Sequence, residues 1–271
     1  MQPTLVTMWF DLERRGLKIL HHDFADQCKR VLSLDCPMVI YCDPELAATV
    51  RSHRKNAKTQ VIAVTMEQTP AFFNWGNDAA KCKLPEEYHR STWHYQIMCY
   101  NKAMFLASVA LRNPFLSGYF AWIDIVKDGV EKIRVAATVP EDFRVHFHVR
   151  RCLETLQEYP DAWYKWIWAR VAGGYFGGRR DAVLELRDRV VSTVFHVISK
   201  GHVVVDEDIY GYIIGQDMDK YHLSFGDYGS VFANRDRQDT DHEFVAGILN
   251  EAVSLNAKQS QKRIIDRMAG R

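Results

Sequence analysis

Carboxylates at the tips of apolar segments are the residues of this sequence best suited to chemistry. Asp124 ends the run Tyr119, Phe120, Ala121, Trp122, Ile123, which rises from a turn punctuated by Pro114 and Gly118. In open α/β sheets, ligands bind beyond the carboxyl ends of the strands, so an acid there can hold a metal or a ribose. It can equally cap a helix or close a turn. Asp128 follows with Lys127 between, and Val126 stands where a paired-acid metal motif needs its second ligand. One carboxylate with diphosphate oxygens and waters still suffices for Mg²⁺ or Mn²⁺, which often take only one or two protein ligands.

A second acidic group, Asp206, Glu207 and Asp208, follows the apolar Val203, Val204 and Val205. Three adjoining acids repel one another, and a metal, a base or sugar hydroxyls would relieve that repulsion. Asp206 also suits a helix N-cap, a role less natural for Glu207. The segment VAGGYFGG places Gly173, Gly174, Gly177 and Gly178 around two aromatics. So many glycines cost chain entropy, which either close approach of backbone to a ligand or a bulged edge strand would explain. Near the N-terminus, Thr7, Trp9, Phe10, Asp11 and Arg14 could hold a nucleobase by stacking and hydrogen bonds. The alternative for Trp9 and Phe10 is core packing. GDYGSVFAN adds a weaker polar turn with Asp227 and Asn234, and His146 and His148 are spaced either for a metal or for an exposed strand face. No GxGxxG, GxxxxGK[ST] or Gx[ST]xG motif occurs, which disfavours dinucleotide, P-loop and α/β-hydrolase chemistry.

Strands alternating with helices must position these residues. Thr4 to Phe10 reads as a strand, and Asp23 as the cap of a helix with Phe24, Cys28, Val31 and Leu32 at helical spacing. Met38 to Tyr41 is a second strand, Asp43-Pro44 a helix start with Leu46, Ala47 and Val50 inward, and Val61 to Val64 a third strand. This β-α-β-α-β order predicts a parallel sheet with right-handed crossovers. Residues 66 to 92 read as irregular. Trp93 to Leu111 forms a long helix with Ile97, Met104, Leu106, Ala107 and Leu111 on its buried face and Lys102 near its middle. Further on, Arg144 to Val149 alternates as an amphipathic strand, Arg179 to Lys200 is a helix, Tyr221 to Asp227 is a strand and turn, and two helices close the chain. Trp163 and Trp166 have helical spacing that favours core over an acceptor-stacking role shared with Trp168.

The chain has 271 residues, 47% apolar and 25% charged, without repeat or linker, which fits one large α/β domain. A net charge of +1 gives no overall case for nucleic acid or an acidic membrane. The basic clusters at 51–58, 144–151 and 179–189 suit solvated helix faces or anion-facing patches. Six cysteines show no CxxC pair or zinc-finger spacing, and several lie in apolar runs, as free buried thiols in a reducing compartment do. The N-terminus lacks a signal-peptide pattern and no apolar window is long enough to span a bilayer, so a cytoplasmic protein is expected.

Taken in order, TLVTMWFDLER, MVIYCDPELA, YNKAMFL, NPFLSGYFAWID, AGGYFGG, the Asp-Glu pair of VVVDEDI and GDYGSVF resemble the HtrL/YibB (WlaTC-type) glycosyltransferase-like proteins across most of the chain. The resemblance implies a single GT-A-like domain over 1–271: a Rossmann-like, mostly parallel mixed sheet flanked by helices. About 1–125 would bind a nucleotide-sugar, and about 126–271, with its C-terminal helices, the acceptor. It implies a UDP- or GDP-sugar donor, a glycan acceptor, and Mn²⁺ or Mg²⁺ on Asp124. Thr7, Phe10, Asp11, Arg14, Lys102, Trp122 and Asp124 would serve the donor, and Gly173, Gly174, Gly178 and Asp227 the sugar or acceptor. This sequence departs from the family pattern where Ile125 and Val126 replace a small residue and a glycine after the acid. AGGYFGG with the Asp-Glu pair is also similar to retaining blood-group-type transferases, which implies Glu207 as nucleophile or ion-pair stabiliser and Asp206 as its sugar-contacting neighbour. In an inverting route Glu207 would be the base on the acceptor hydroxyl. Rival readings are a catalytically silent nucleotide-sugar or glycan-binding module and a phosphoester hydrolase, the latter without a recognisable metal-pair motif.

Overall fold

Short apolar runs bounded by Pro, Asp and Gly become the strands of one sheet. In the computed structural model, which describes residues 2–12, 24–54, 56–84, 92–126, 143–150, 163–165 and 170–225, β1 (Thr4–Trp9), β2 (Met38–Cys42) and β3 (Thr59–Ala63) pair in parallel. β4 (Phe120–Ile123) lies parallel to β1 on its other side. Parallel neighbours need crossovers, and α1 (Phe24–Leu32) and α2 (Ala47–His53) lie between these strands in the chain. Cys28, Val31, Leu32, Ala47 and Val50 pack with Leu5, Met38 and Ile40 into a core on one face of the sheet.

The second part of the sheet is mixed. β5 (Val145–Val149), β6 (Tyr175–Gly178) and β7 (Tyr221–Phe225) complete the order β3-β2-β1-β4-β6-β5-β7. β6 runs antiparallel to β4 and β5, while β5 and β7 are parallel. The expected α/β class and mostly parallel mixed sheet are therefore present. The glycine-aromatic segment is an interior strand, not an edge. At Gly177 a Cβ would lie 2.6 Å from the Phe120 carbonyl oxygen, so the glycine there serves strand pairing.

The opposite face carries α3 (Pro70–Ala79), α4 (Trp93–Arg112), α5 (Arg180–Ser199) and α6 (Asp206–Gln216) over a larger core. Every residue of α4 from Gln96 to Ala107 is buried, so this helix is enclosed nearly all round. No helix among the described residues is long and apolar enough to cross a membrane.

Several expectations are corrected. Residues 66–92 contain a helix, α3, whose first turn is held from a distance: Asn101 Oδ1 accepts the Ala71 N–H at 2.9 Å and its amide donates to Thr69 Oγ1 at 3.0 Å. Leu111 is exposed, because α4 turns it away from the core. Asp43 precedes a 3₁₀ turn, Pro44–Leu46, but does not cap it; its Oδ2 accepts the Asp11 N–H at 2.7 Å instead. Residues Val203 to Val205 are extended and buried yet outside the sheet, docked on Tyr100, whose hydroxyl donates to the Val204 carbonyl at 2.7 Å and accepts its N–H at 3.0 Å. His146 and His148 are buried, not exposed. Asp23 and the expected C-terminal helices lie outside the described residues.

Candidate active site

α4 carries the centre of the site because its enclosed middle turn brings one lysine under the tip of β4. Lys102 is buried, and its Nζ lies 3.1 Å from Asp124 Oδ1, 3.3 Å from Asp124 Oδ2, 2.9 Å from Asp206 Oδ2 and 3.3 Å from the Gly173 carbonyl oxygen. Burial alone would strip the proton from a lysine. Asp124, and then Asp206, more than reverse that, so the Lys102 pKa is held well above the usual lysine range.

Asp124 follows β4 with its backbone tied to the neighbouring strand segment, its N–H donating to the Gly174 carbonyl at 2.9 Å. The Trp122 indole N–H donates to Asp124 Oδ1 at 2.7 Å. Two residues apart on one strand share a face, so the buried Trp122 orients the acid from below.

Asp206 and Glu207 open α6, whose N-cap is Val205, so Asp206 is the first helical residue and no side chain caps the helix. The positive end of the helix dipole favours acids there. Asp206 turns inward to Lys102 and also accepts from the Cys99 thiol; burial raises its carboxyl pKa against those two partners. Glu207 is only partly buried by exposed area, and its Oε1 accepts the Gly173 N–H at 3.2 Å. Burial first, and Asp206 second, push its pKa up to about 8, against the opposing pull of Lys102, the Gly173 N–H and Arg150.

Gly173 joins the two motifs. Its carbonyl receives Lys102, its N–H serves Glu207, and a Cβ there would lie 2.5 Å from Asp206 Oδ2. The close approach that requires this glycine is to an acid of the protein itself.

No protein-family model matches the chain, and no curated protein sequence does. Among solved structures, it is similar to the mouse xyloside xylosyltransferase 1 in its apo form, at 11% identity over 88% of this chain and 94% of that one, TM-score 0.46. It is also similar to the galactosyltransferase LgtC in complex with donor and acceptor sugar analogs, at 12% identity over 89% of this chain and 81% of that one, TM-score 0.46.

The structure thus brings Lys102, Trp122, Asp124, Gly173, Gly174, Asp206 and Glu207 together. It separates others. Thr7 is fully buried and its hydroxyl has no hydrogen-bond partner among the described residues, while Phe10 is in the core, so neither side chain is open to a base. Trp122 reaches the site only through Asp124, because its ring is enclosed. Gly178 packs in β6 against Val145, where a Cβ would lie 3.1 Å from that side chain, so its packing is that of a sheet residue. Lys102 is not a solvated surface residue, and Trp163 is core, stacked on Tyr212 at 4.3 Å. Asp11 is partly exposed at the tip of β1 beside Asp43. Arg14, Asp128, Trp166, Trp168, Asp227 and Asn234 lie outside the described residues.

Cys99, Tyr100, Arg150 and the Asp11–Asp43 contact have no distinguishing sequence pattern and emerge only from the fold. The signal that could have found Asp43 is its position, directly after β2 as Asp11 follows β1.

A divalent cation on Asp124 fits the described residues poorly. Oδ1 is engaged by Trp122 and Lys102, Oδ2 faces the same ammonium, and no group of three His, Cys, Asp or Glu among the described residues could hold a metal ion.

Proposed function

We propose that this chain is a nucleotide-sugar-dependent glycosyltransferase of the HtrL/YibB (WlaTC-type) kind, moving a hexose or pentose from a UDP- or GDP-sugar to a glycan hydroxyl. The observation that carries the reading is the convergence of Asp124, Gly173 and Asp206, drawn from separate motifs, on the buried Lys102 ammonium, with Glu207 joined to the cluster through the Gly173 N–H. The donor half is about 1–125 and the acceptor half about 126–271, so the centre lies where they meet. The free thiols among the described cysteines suit the reducing cytoplasm.

In this reading Asp124 receives a ribose or sugar hydroxyl, as an acid beyond a strand end can. The bond from the anomeric carbon to the diphosphate breaks with its electron pair leaving on the diphosphate, and a bond from the acceptor oxygen forms. Glu207 acts as a carboxylate, either stabilising the oxocarbenium-like carbon or taking the acceptor's proton. Both roles need the ionised form. A pKa of about 8 makes Glu207 a stronger base than an ordinary glutamate, and the ionised fraction grows as pH rises through that value.

The test is release of nucleoside diphosphate from a panel of UDP- and GDP-sugars, with glycan acceptors added. Turnover that falls about 100-fold or more in Asp124→Asn and Glu207→Gln, the scale of losing one preorganised charge-stabilising group, supports the transferase. Donor binding without turnover across the panel would favour the silent module, and phosphate release from simple esters the hydrolase.

A further inference from the structure

We propose that, given the transferase reading above, the reaction needs no divalent cation, because the Lys102 ammonium occupies the seat between Asp124 and the α6 acids that a metal ion would take. The geometry is closed on the protein side. An ammonium has three protons, and Nζ of Lys102 has the two Asp124 oxygens, Asp206 Oδ2 and the Gly173 carbonyl within 3.3 Å.

Asp124 retains one useful valence. Oδ1 is shared by Trp122 and Lys102, whereas Oδ2 meets only Lys102 among the described residues, on a side chain that is 32% exposed. A metal ion ligated there at about 2.1 Å would stand within about 5 Å of the ammonium, where like charges in a poorly solvated site repel strongly. A sugar or ribose hydroxyl donates one proton and brings no charge, which matches what Oδ2 can accept.

Two readouts on the full chain test this. Mn²⁺ is titrated into native protein and Asp124→Asn and followed by electron paramagnetic resonance, and donor hydrolysis is measured in excess EDTA and in excess Mn²⁺. The expected results are the same Mn²⁺ titration in both proteins, with no bound species that depends on Asp124, and hydrolysis rates equal within about two-fold in the two buffers. A Mn²⁺ site present in native protein and lost in Asp124→Asn would overturn the proposal, as would hydrolysis abolished by EDTA and restored by Mn²⁺. Absence of turnover in both buffers counts against the transferase reading instead, and the resonance titration then decides the cation claim alone: an Asp124-dependent site refutes it, the same titration in both proteins upholds it.

Discussion

At the tip of β4 the protein buries charge, whereas between β5 and β7 it buries imidazoles against a half-buried hydroxyl. In the first region Lys102 is ringed by Asp124, Asp206 and the Gly173 carbonyl, gathered from α4, the end of β4, α6 and the segment before β6. In the second, Ser224 Oγ lies 2.9 Å from His146 Nε2 and 2.9 Å from His148 Nδ1. A hydroxyl both donates and accepts, so it serves two ring nitrogens without any ion. Both of these contacts join two neighbouring strands. The charged seam needs four separate segments and carries a desolvation cost that an apolar filling would avoid. On the proposed reading, that cost is borne for a reaction centre, whereas the imidazole seam is architecture.

Removing the ammonium should break the contrast most severely. Lys102→Met leaves Asp124 and Asp206 facing each other without their shared cation, and breaking a buried ion pair from one side costs about 3–5 kcal/mol. Urea denaturation should show a loss of that size. A loss below about 1 kcal/mol, the scale of an exposed pair, would mean the ammonium is not what holds these acids.

The next effect belongs to the glycine that admits Asp206. Gly173→Ala puts a methyl 2.5 Å from Asp206 Oδ2 in the native arrangement, so the carboxylate must leave Lys102 or the chain must shift. Overpacking of this kind costs about 1–3 kcal/mol. Denaturation should report that loss, together with a fall in donor turnover. If turnover falls and stability does not, the glycine faces a ligand, as its sequence context first suggests.

The smallest effect is expected in the imidazole seam. Ser224→Ala removes one hydroxyl from two nitrogens and should cost about 1 kcal/mol, the net worth of an ordinary hydrogen bond. Donor turnover should stay at the native rate. A large drop in rate would move the imidazole seam into the site and dissolve the distinction.

The parallel part of the sheet was legible because its strands are continuous apolar runs closed by Pro44, Asp43 and similar breakers, all local signals. α3 was hidden because its cap comes from Asn101, in another helix. The tip acid Asp124 was visible from its strand, and the Asp206-Glu207 pair from its mutual repulsion. Their union was not, since it depends on Lys102, whose helix reads as amphipathic but is enclosed by α3, α5, α6 and the sheet. The glycines of 171–178 suggest either a backbone approach to a ligand or a bulged edge strand, whereas in the fold Gly177 lets β4 and β6 pair and Gly173 lets Asp206 reach the lysine. Spacing along a chain cannot distinguish a backbone that approaches a ligand from one that approaches its own side chains.

The pH dependence of donor hydrolysis, native against Glu207→Gln, tests most directly whether this cluster is one reaction centre with Glu207 as its working carboxylate. The native rate should rise as pH increases toward about 8 and level off above it, as Glu207 loses its proton. In Glu207→Gln the rate should be about 100-fold lower and that rise should vanish. A Glu207→Gln protein that keeps the native rate and the native profile would contradict the account.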